Sequence, residues 1–487
     1  MPARIPALHS PTQRLAWGFC GLTIASLLTG IAGDWWFLAG IPVLALLAFL
    51  AVVRFSSLFY LLFFFIPLTV EVWLPNGTVT DMPTEQLAVG LTGLYLVFAI
   101  RQARTLSADF LRHPVSLLLL LHLGWTFATA VTSGNVLIST KFALAKIWYV
   151  TPFYFLGGAL LRTEKDFRRL TWVVWIPLAF TIVFVLVRHA AQGFSFAAVN
   201  TVMFPFYRNK VAYACMLAVF LPFAWYTRKG YGPWTRPWIL MSLAVGLILV
   251  GIQFSYTRAV YGMVALAALS YFVVRRRLMK WVLIAAALLA ALYVGAMLHH
   301  NNYLDHKPDY NKAITHDRFD DLLQATTRGR DVSTMERVYR WVAGGNMVGQ
   351  RPWLGFGPGT FTYFYRSHTV SGFRTYVSDN QEGSGIHCYY LMVLVEQGFP
   401  GLLFFLGLVF LVLLTGERVY HESEDPGRRR MVMAALLTTV IIDGLLVMND
   451  LVETDKIGSF FFLCMAILVR ADLANRRSAR TPATSPG

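Results

Sequence analysis

Apolar runs of roughly 17 to 22 residues recur from one end of this chain to the other, each about long enough to cross the ~30 Å of hydrocarbon in a bilayer. In hydrocarbon every backbone N–H and C=O must be bonded within the protein, which leaves helices or a closed barrel. Continuous apolar runs, without alternation, select helices. Fourteen such stretches stand at about 15–32, 36–53, 55–74, 86–100, 115–132, 142–161, 170–188, 210–226, 238–255, 259–275, 281–298, 399–416, 431–449 and 457–470. The second and third are separated by little more than Arg54, and as a re-entrant pair they would reduce the total to twelve. The expected fold is therefore an all-α polytopic membrane protein with about 12–14 transmembrane helices. Composition agrees, since only 14% of the 487 residues are charged, against about a quarter in a soluble domain. The first apolar run lacks a small-residue cleavage site, so no cleaved signal peptide is expected.

The formal net charge of +16 would suggest nucleic acid only if it formed a soluble basic patch. It lies instead in short loops between spans, so no nucleic-acid partner is expected and membrane lipids are. Lysine and arginine in short loops mark the cytoplasmic side. With the N-terminus inside, that side collects Arg54, Arg101, Arg104, Arg112, Arg162, Lys165, Arg168, Arg169, Arg228, Lys229, Arg275, Arg276, Arg277, Arg418, Arg428, Arg429 and Arg430. Both termini are then cytoplasmic. The expected organisation is residues 1–298 as transmembrane helices, 299–398 as one long, largely helical periplasmic loop with an interfacial helix, 399–470 as C-terminal transmembrane helices, and 471–487 as a disordered cytoplasmic tail. The four cysteines, Cys20, Cys215, Cys388 and Cys464, have no paired spacing for a disulfide framework or a metal site.

Few basic residues remain for the outer face, and each opposes the topology rule. Outside the long loop they are Lys141, Lys146, Arg188, Arg208, Lys210, Arg258 and Lys456. Lys146 falls about one turn inside a span, where an ionisable side chain is a functional candidate by default and snorkelling is the structural alternative. Arg258, in QFSYTRAVYG, sits at the tip of a helical hairpin. It is either a cap or an anion ligand whose planar guanidinium matches phosphate.

The long loop opens with His299, His300, Asp305, His306, Asp309, His316 and Asp317, a metal-like composition without a ligand spacing, so a solvated segment is expected. In MERVYRWVAGGNMV, Arg337 and Trp341 share a helical face and Arg340 lies a turn from Arg337. The run QRPWLGFGPGTF lacks the lysine and hydroxyl of a phosphate-binding loop, so its glycines and prolines are read as turns that return the chain to the membrane. His387 opens IHCYYLMVLVEQGFPG, an expected interfacial helix broken at Gly398, Pro400 and Gly401. Near neutral pH histidine is the side chain best suited to act as a general base.

The order of these motifs resembles the O-antigen ligase and polymerase superfamily of membrane glycosyltransferases. The likeness rests on Tyr256-Thr257-Arg258, Arg337 with Trp341, Pro352-Trp353-Leu354-Gly355-Phe356-Gly357, and His387 with Glu396, Gly398 and Gly401. It implies a GT-C-like enzyme that moves a glycan from undecaprenyl pyrophosphate to an acceptor outside the cytoplasmic membrane, with no nucleotide, cofactor or catalytic metal. The acceptor would be lipid A-core in a ligase, another lipid-linked glycan in a Wzy-type polymerase, or a protein hydroxyl in an oligosaccharyltransferase. On this resemblance His387 is the catalytic histidine, and Arg258 and Arg337 bind pyrophosphate. Arg340, Lys146, Arg208 and Lys210 are further candidates for the pyrophosphate. Cys388 departs from the small polar residue that ligases carry after the histidine. A lipid-linked-glycan transporter is the rival of a different class, and it should show an internal repeat, which the sequence lacks.

Overall fold

The computed structural model describes residues 11–73, 79–101, 107–306, 332–374, 378 and 383–480. It is nearly all-α, and thirteen of the fourteen apolar stretches are helical over most of their length, the third only in its first part. Among the described residues nine helices are long and apolar enough to cross a membrane, and three shorter apolar ones accompany them. The chain divides into two compact units, residues 1–61 and 62–487. The first holds α1 (Pro11–Gly33), α2 (Gly40–Val53) and the start of α3 (Phe55–Phe65).

In the second unit the third apolar stretch is shorter than expected. α3 ends at Phe65, a 3-10 turn follows at Ile66–Leu68, and Val70–Trp73 (β1) pairs antiparallel with Val79–Met82 (β2). Pro67 cannot continue the helical ladder, and the β-branched residues after it favour a strand. Then come α4 (Thr84–Arg101), α5 (Pro114–Val131), α6 (Val136–Val150), α7 (Glu164–Ala191), α8 (Lys210–Lys229), α9 (Arg236–Gln253), α10 (Arg258–Arg275) and α11 (Met279–Leu298). α6 runs on through one π turn at Thr151–Leu156, where Pro152 removes a donor from the ladder. The long loop contains α12 (Val332–Gln350) and the start of α13 (Tyr389–Glu422), and α14 (Pro426–Leu445) and α15 (Asp455–Arg480) follow.

α15 is the centre of this unit, with almost all of its apolar length buried, whereas α11 is exposed along almost all of its own. Between helices in lipid the hydrophobic effect offers little, so close packing and internal polar bonds hold them together. Phe460 of α15 is packed edge-on by Phe63, Phe220 and Phe223, and Thr438 of α14 donates to the Val219 carbonyl of α8 at 3.0 Å.

The tail differs from expectation. α15 continues as an ordered helix to Arg480, with Asp472 and Asn475 buried among partners from three other segments. Of the expected disordered tail, residues 481–487 lie outside the described residues, as do Asp309, His316 and Asp317 of the long loop.

Candidate active site

Two motif segments clasp each other and set the geometry of the long loop's return. Gly355 and Gly398 both take left-handed backbone conformations, at φ +67° and +70°. A Cβ on the first would collide with the Glu396 backbone, and one on the second with that of Trp353. The main chains are joined by Phe356 N–H to Val395 O at 3.0 Å, Gly357 N–H to Glu396 O at 2.9 Å and Phe399 N–H to Pro352 O at 2.8 Å. The buried Glu396 carboxylate accepts the N–H groups of Gly359 (2.8 Å) and Phe361 (3.0 Å). On the other side Ser133 and Ser139 donate to the carbonyls of Phe356 and Pro358. Trp125 takes up the Gln397 carbonyl at the kink. The glycine-rich run is thus a brace for the start of α13. That start is mostly buried, Met392, Val393, Val395, Glu396 and Gln397 included.

Held at the end of this brace, half-buried His387 also has a left-handed backbone, at φ +56°. Both sides of its turn are tied down. Arg340 Nη1 donates to Gly385 O and Trp341 Nε1 to Ile386 O, each at 3.1 Å. Beyond it, Tyr389 N–H donates to Leu446 O at 2.8 Å. Arg340 also lies 3.6 Å from the Glu336 carboxylate, which accepts the Ser378 hydroxyl. Burial first, then the charges of Arg340 and Arg337, lowers the His387 pKa to about 3. The imidazole is therefore neutral near pH 7, with a lone pair available for a proton.

The candidate cations form a connected series. Asp450, between α14 and α15, packs so closely on Gly385 that a Cβ there would collide with its carboxylate. Burial raises the Asp450 pKa while the guanidiniums of Arg340 and Arg208 oppose that rise. Two residues on from Arg208, Lys210 begins α8 under its cap Asn209, whose side chain accepts the N–H groups of Val211 and Ala212 at 3.0 Å each. The Lys210 ammonium lies 4.0 Å from the Phe196 ring centre, and its carbonyl accepts the Thr257 hydroxyl at 3.4 Å. Thr257 is the N-cap residue of α10, and Arg258 is that helix's first residue. The structure thus sets Arg337 and Arg340 near enough to His387, and Arg340 and Arg208 near enough to Asp450, for their charges to act on those groups, and it puts Lys210 beside the Arg258 turn.

Lys146 stands apart from that series. It is 9% exposed, with its ammonium 2.5 Å from Glu453 Oε1 and 3.3 Å from the Tyr389 hydroxyl. Sequence reasoning passed over Asp450 and Glu453. The signal was there in Asn449-Asp450-Leu451-Val452-Glu453-Thr454-Asp455-Lys456, a polar run between the last two spans. Among the described residues no group of three or more His, Cys, Asp or Glu side chains could hold a metal ion.

These features define a multi-pass membrane protein with a neutral histidine set among arginines where a long loop rejoins the helices. Residues 243–406 match the family model described as O-antigen ligase, so the chain carries the domain of the family its motifs resemble. The matched segment includes Arg258, Arg337, Arg340, His387 and Glu396, and stops before Asp450 and Glu453. The family comprises ligase- and polymerase-like glycosyltransferases that work on a lipid-linked glycan and an acceptor. No curated protein matches the chain.

Proposed function

We propose that this protein is an O-antigen ligase-like glycosyltransferase that moves a glycan from undecaprenyl pyrophosphate to lipid A-core. The reaction takes place on the outer side of the bacterial inner membrane, with both termini in the cytoplasm and the 299–398 segment over the periplasmic face. The observation that carries the reading is the His387 imidazole, half-buried where the loop rejoins the helices and kept neutral by burial and by the charges of Arg340 and Arg337. The acceptor hydroxyl oxygen attacks the anomeric carbon as its bond to the pyrophosphate oxygen breaks. His387 takes the hydroxyl proton, and undecaprenyl pyrophosphate leaves with the bonding electron pair. Such proton transfer contributes a typical ~10²–10⁴-fold.

The leaving group carries its charge at headgroup level, where its polyprenyl tail holds it. Arg258, Arg337, Arg340, Arg208 and Lys210 supply positive charge there, which stabilises bond cleavage. Bound pyrophosphate would also offset the arginine field on His387 and strengthen it as a base, so donor binding readies the base.

The test is an acceptor-transfer assay in membranes of a strain lacking its own ligase, comparing wild type, His387→Ala and Arg258→Ala at matched expression. Loss of glycan on lipid A-core in both variants, by at least ~10²-fold for His387→Ala, is expected. Chains that lengthen on the polyprenyl carrier, with none reaching lipid A-core, would instead define a polymerase. Full activity in both variants would remove the catalytic assignment.

A further inference from the structure

We infer that Lys146 is a positioning residue for the His387 turn rather than a ligand of the donor's pyrophosphate; this rests on the reading of His387 as the base. Three observations converge on it. First, Lys146 already has an anion, the Glu453 carboxylate at 2.5 Å, and shares the Tyr389 hydroxyl at 3.3 Å. Second, the space beside the ammonium is a small, largely apolar cavity walled by Leu119, Val150, Phe405 and Leu408. Besides Lys146 and Tyr389 themselves, its polar lining residues are His122 and Thr126. A dianionic group has no place in such surroundings. Third, Tyr389 lies two residues past His387, and its ring is also gripped by Phe405, 5.0 Å between centres.

A left-handed non-glycine residue persists only where its surroundings over-determine it. Arg340 and Trp341 fix the backbone before His387, while Tyr389 fixes it after. Lys146 holds Tyr389 by its hydroxyl. Through Glu453 it also holds the 449–454 segment, in which Asp450 lies against Gly385. One ammonium on α6 therefore anchors both pieces of chain that bracket the histidine from the far side. The Lys146–Glu453 pair lies wholly outside the segment that matches the family, since Glu453 follows residue 406 and Lys146 precedes residue 243.

The experiment is a double-mutant cycle in the full chain carrying Cys20→Ser, which removes the exposed thiol and leaves Cys388 as the accessible one beside Cys215 and Cys464 in the core. Lys146→Met, Glu453→Gln and the pair are compared for transfer kinetics and for the rate at which a maleimide labels Cys388. Lys146→Met leaves the half-buried Glu453 carboxylate without its cation and Tyr389 without its donor, so the turn should loosen. The rate at saturating donor should fall at least ~10-fold with donor KM within about twofold, and Cys388 labelling should quicken. Adding Glu453→Gln removes the stranded charge and should restore most of both. If Lys146→Met does not accumulate, the double variant alone carries the comparison with wild type. A rise in donor KM with unchanged labelling, or no recovery in the pair, overturns the assignment. Labelling does not depend on turnover: if wild type fails to transfer glycan yet the labelling pattern holds, it is the proposed reaction that falls, and not the anchoring.

Discussion

His387 is a residue whose backbone and protonation both depend on its neighbours. A left-handed non-glycine conformation costs on the order of 1–3 kcal/mol, and here three hydrogen bonds to flanking residues hold it. With its pKa lowered to about 3, the imidazole is neutral in the fold, whereas in the unfolded chain it would take a proton below about pH 6.5. This group therefore costs stability as pH falls from about 6.5 towards 3, and above that window it has no effect. The same shift leaves kcat/KM free of a histidine ionisation between pH 5 and 8. Arg337→Met removes one of the two charges that disfavour imidazolium, so the acid limb of the pH–rate profile should move up by about one pH unit. An unmoved limb would separate Arg337 from the electrostatics of His387. As residue types, His387, Arg258 and Arg337 were legible from position and motif order. The φ of His387 and the carboxylate of Asp450 were not, because both depend on contacts across long separations in the chain.

Among the elements, the clasp between residues 352–361 and the start of α13 is where sequence and structure agree in outline and differ in purpose. Glycines and prolines announced turns, and turns are present. That Glu396 would cap the Gly359 and Phe361 amides from inside the kinked helix was not readable, since nothing local pairs them. Gly398→Ala would force a Cβ into the Trp353 backbone at φ +70° and should destabilise the fold by ~3 kcal/mol or more. Gly349→Ala, in open space within α12, should be neutral or stabilising by up to about 1 kcal/mol. Thermal unfolding of the purified variants in detergent checks the contrast. The β hairpin offers a second case. Asp81 sits across the ladder from Glu71, and burial, then Asp455, raises its pKa to about 7, with Glu71 and Glu85 adding to the rise and Lys456 opposing it. The folded state thus keeps a proton that the unfolded state gives up, so stability from this group falls as pH rises from about 4 to 7. Asp81→Asn should therefore stabilise the fold relative to wild type at pH 8, by on the order of 2 kcal/mol and read as a higher Tm, and give no gain near pH 4.

Across the whole molecule, hydropathy was the strongest signal, since a bilayer demands about 20 apolar residues per crossing whatever their packing. The same signal misled at the C-terminus, where apolar residues give way to charge and the chain reads as a tail. Charge there serves packing. Asp472 is fully buried on α15, and its Oδ2 accepts His113 Nε2, Arg418 Nη2 and Arg476 Nη2 at 2.9 Å each. His113 in turn accepts the Val115 N–H through Nδ1 at the start of α5, which matches an imidazole protonated on Nε2. Three residues on, Asn475 accepts Arg428 Nη1 of α14 at 2.7 Å. The last turns of α15 thereby join the ends of α5, α13 and α14 through groups that hydropathy scores as loop. Ending the chain after Arg480 removes none of these partners and should leave Tm and transfer unchanged. Ending it after Arg470 strands the buried His113 and the Arg418 guanidinium, and should cost about 3–5 kcal/mol. Size-exclusion profiles and melting curves of the two truncations distinguish these outcomes. Equal stability for both would return residues 471–480 to the status of a dispensable tail.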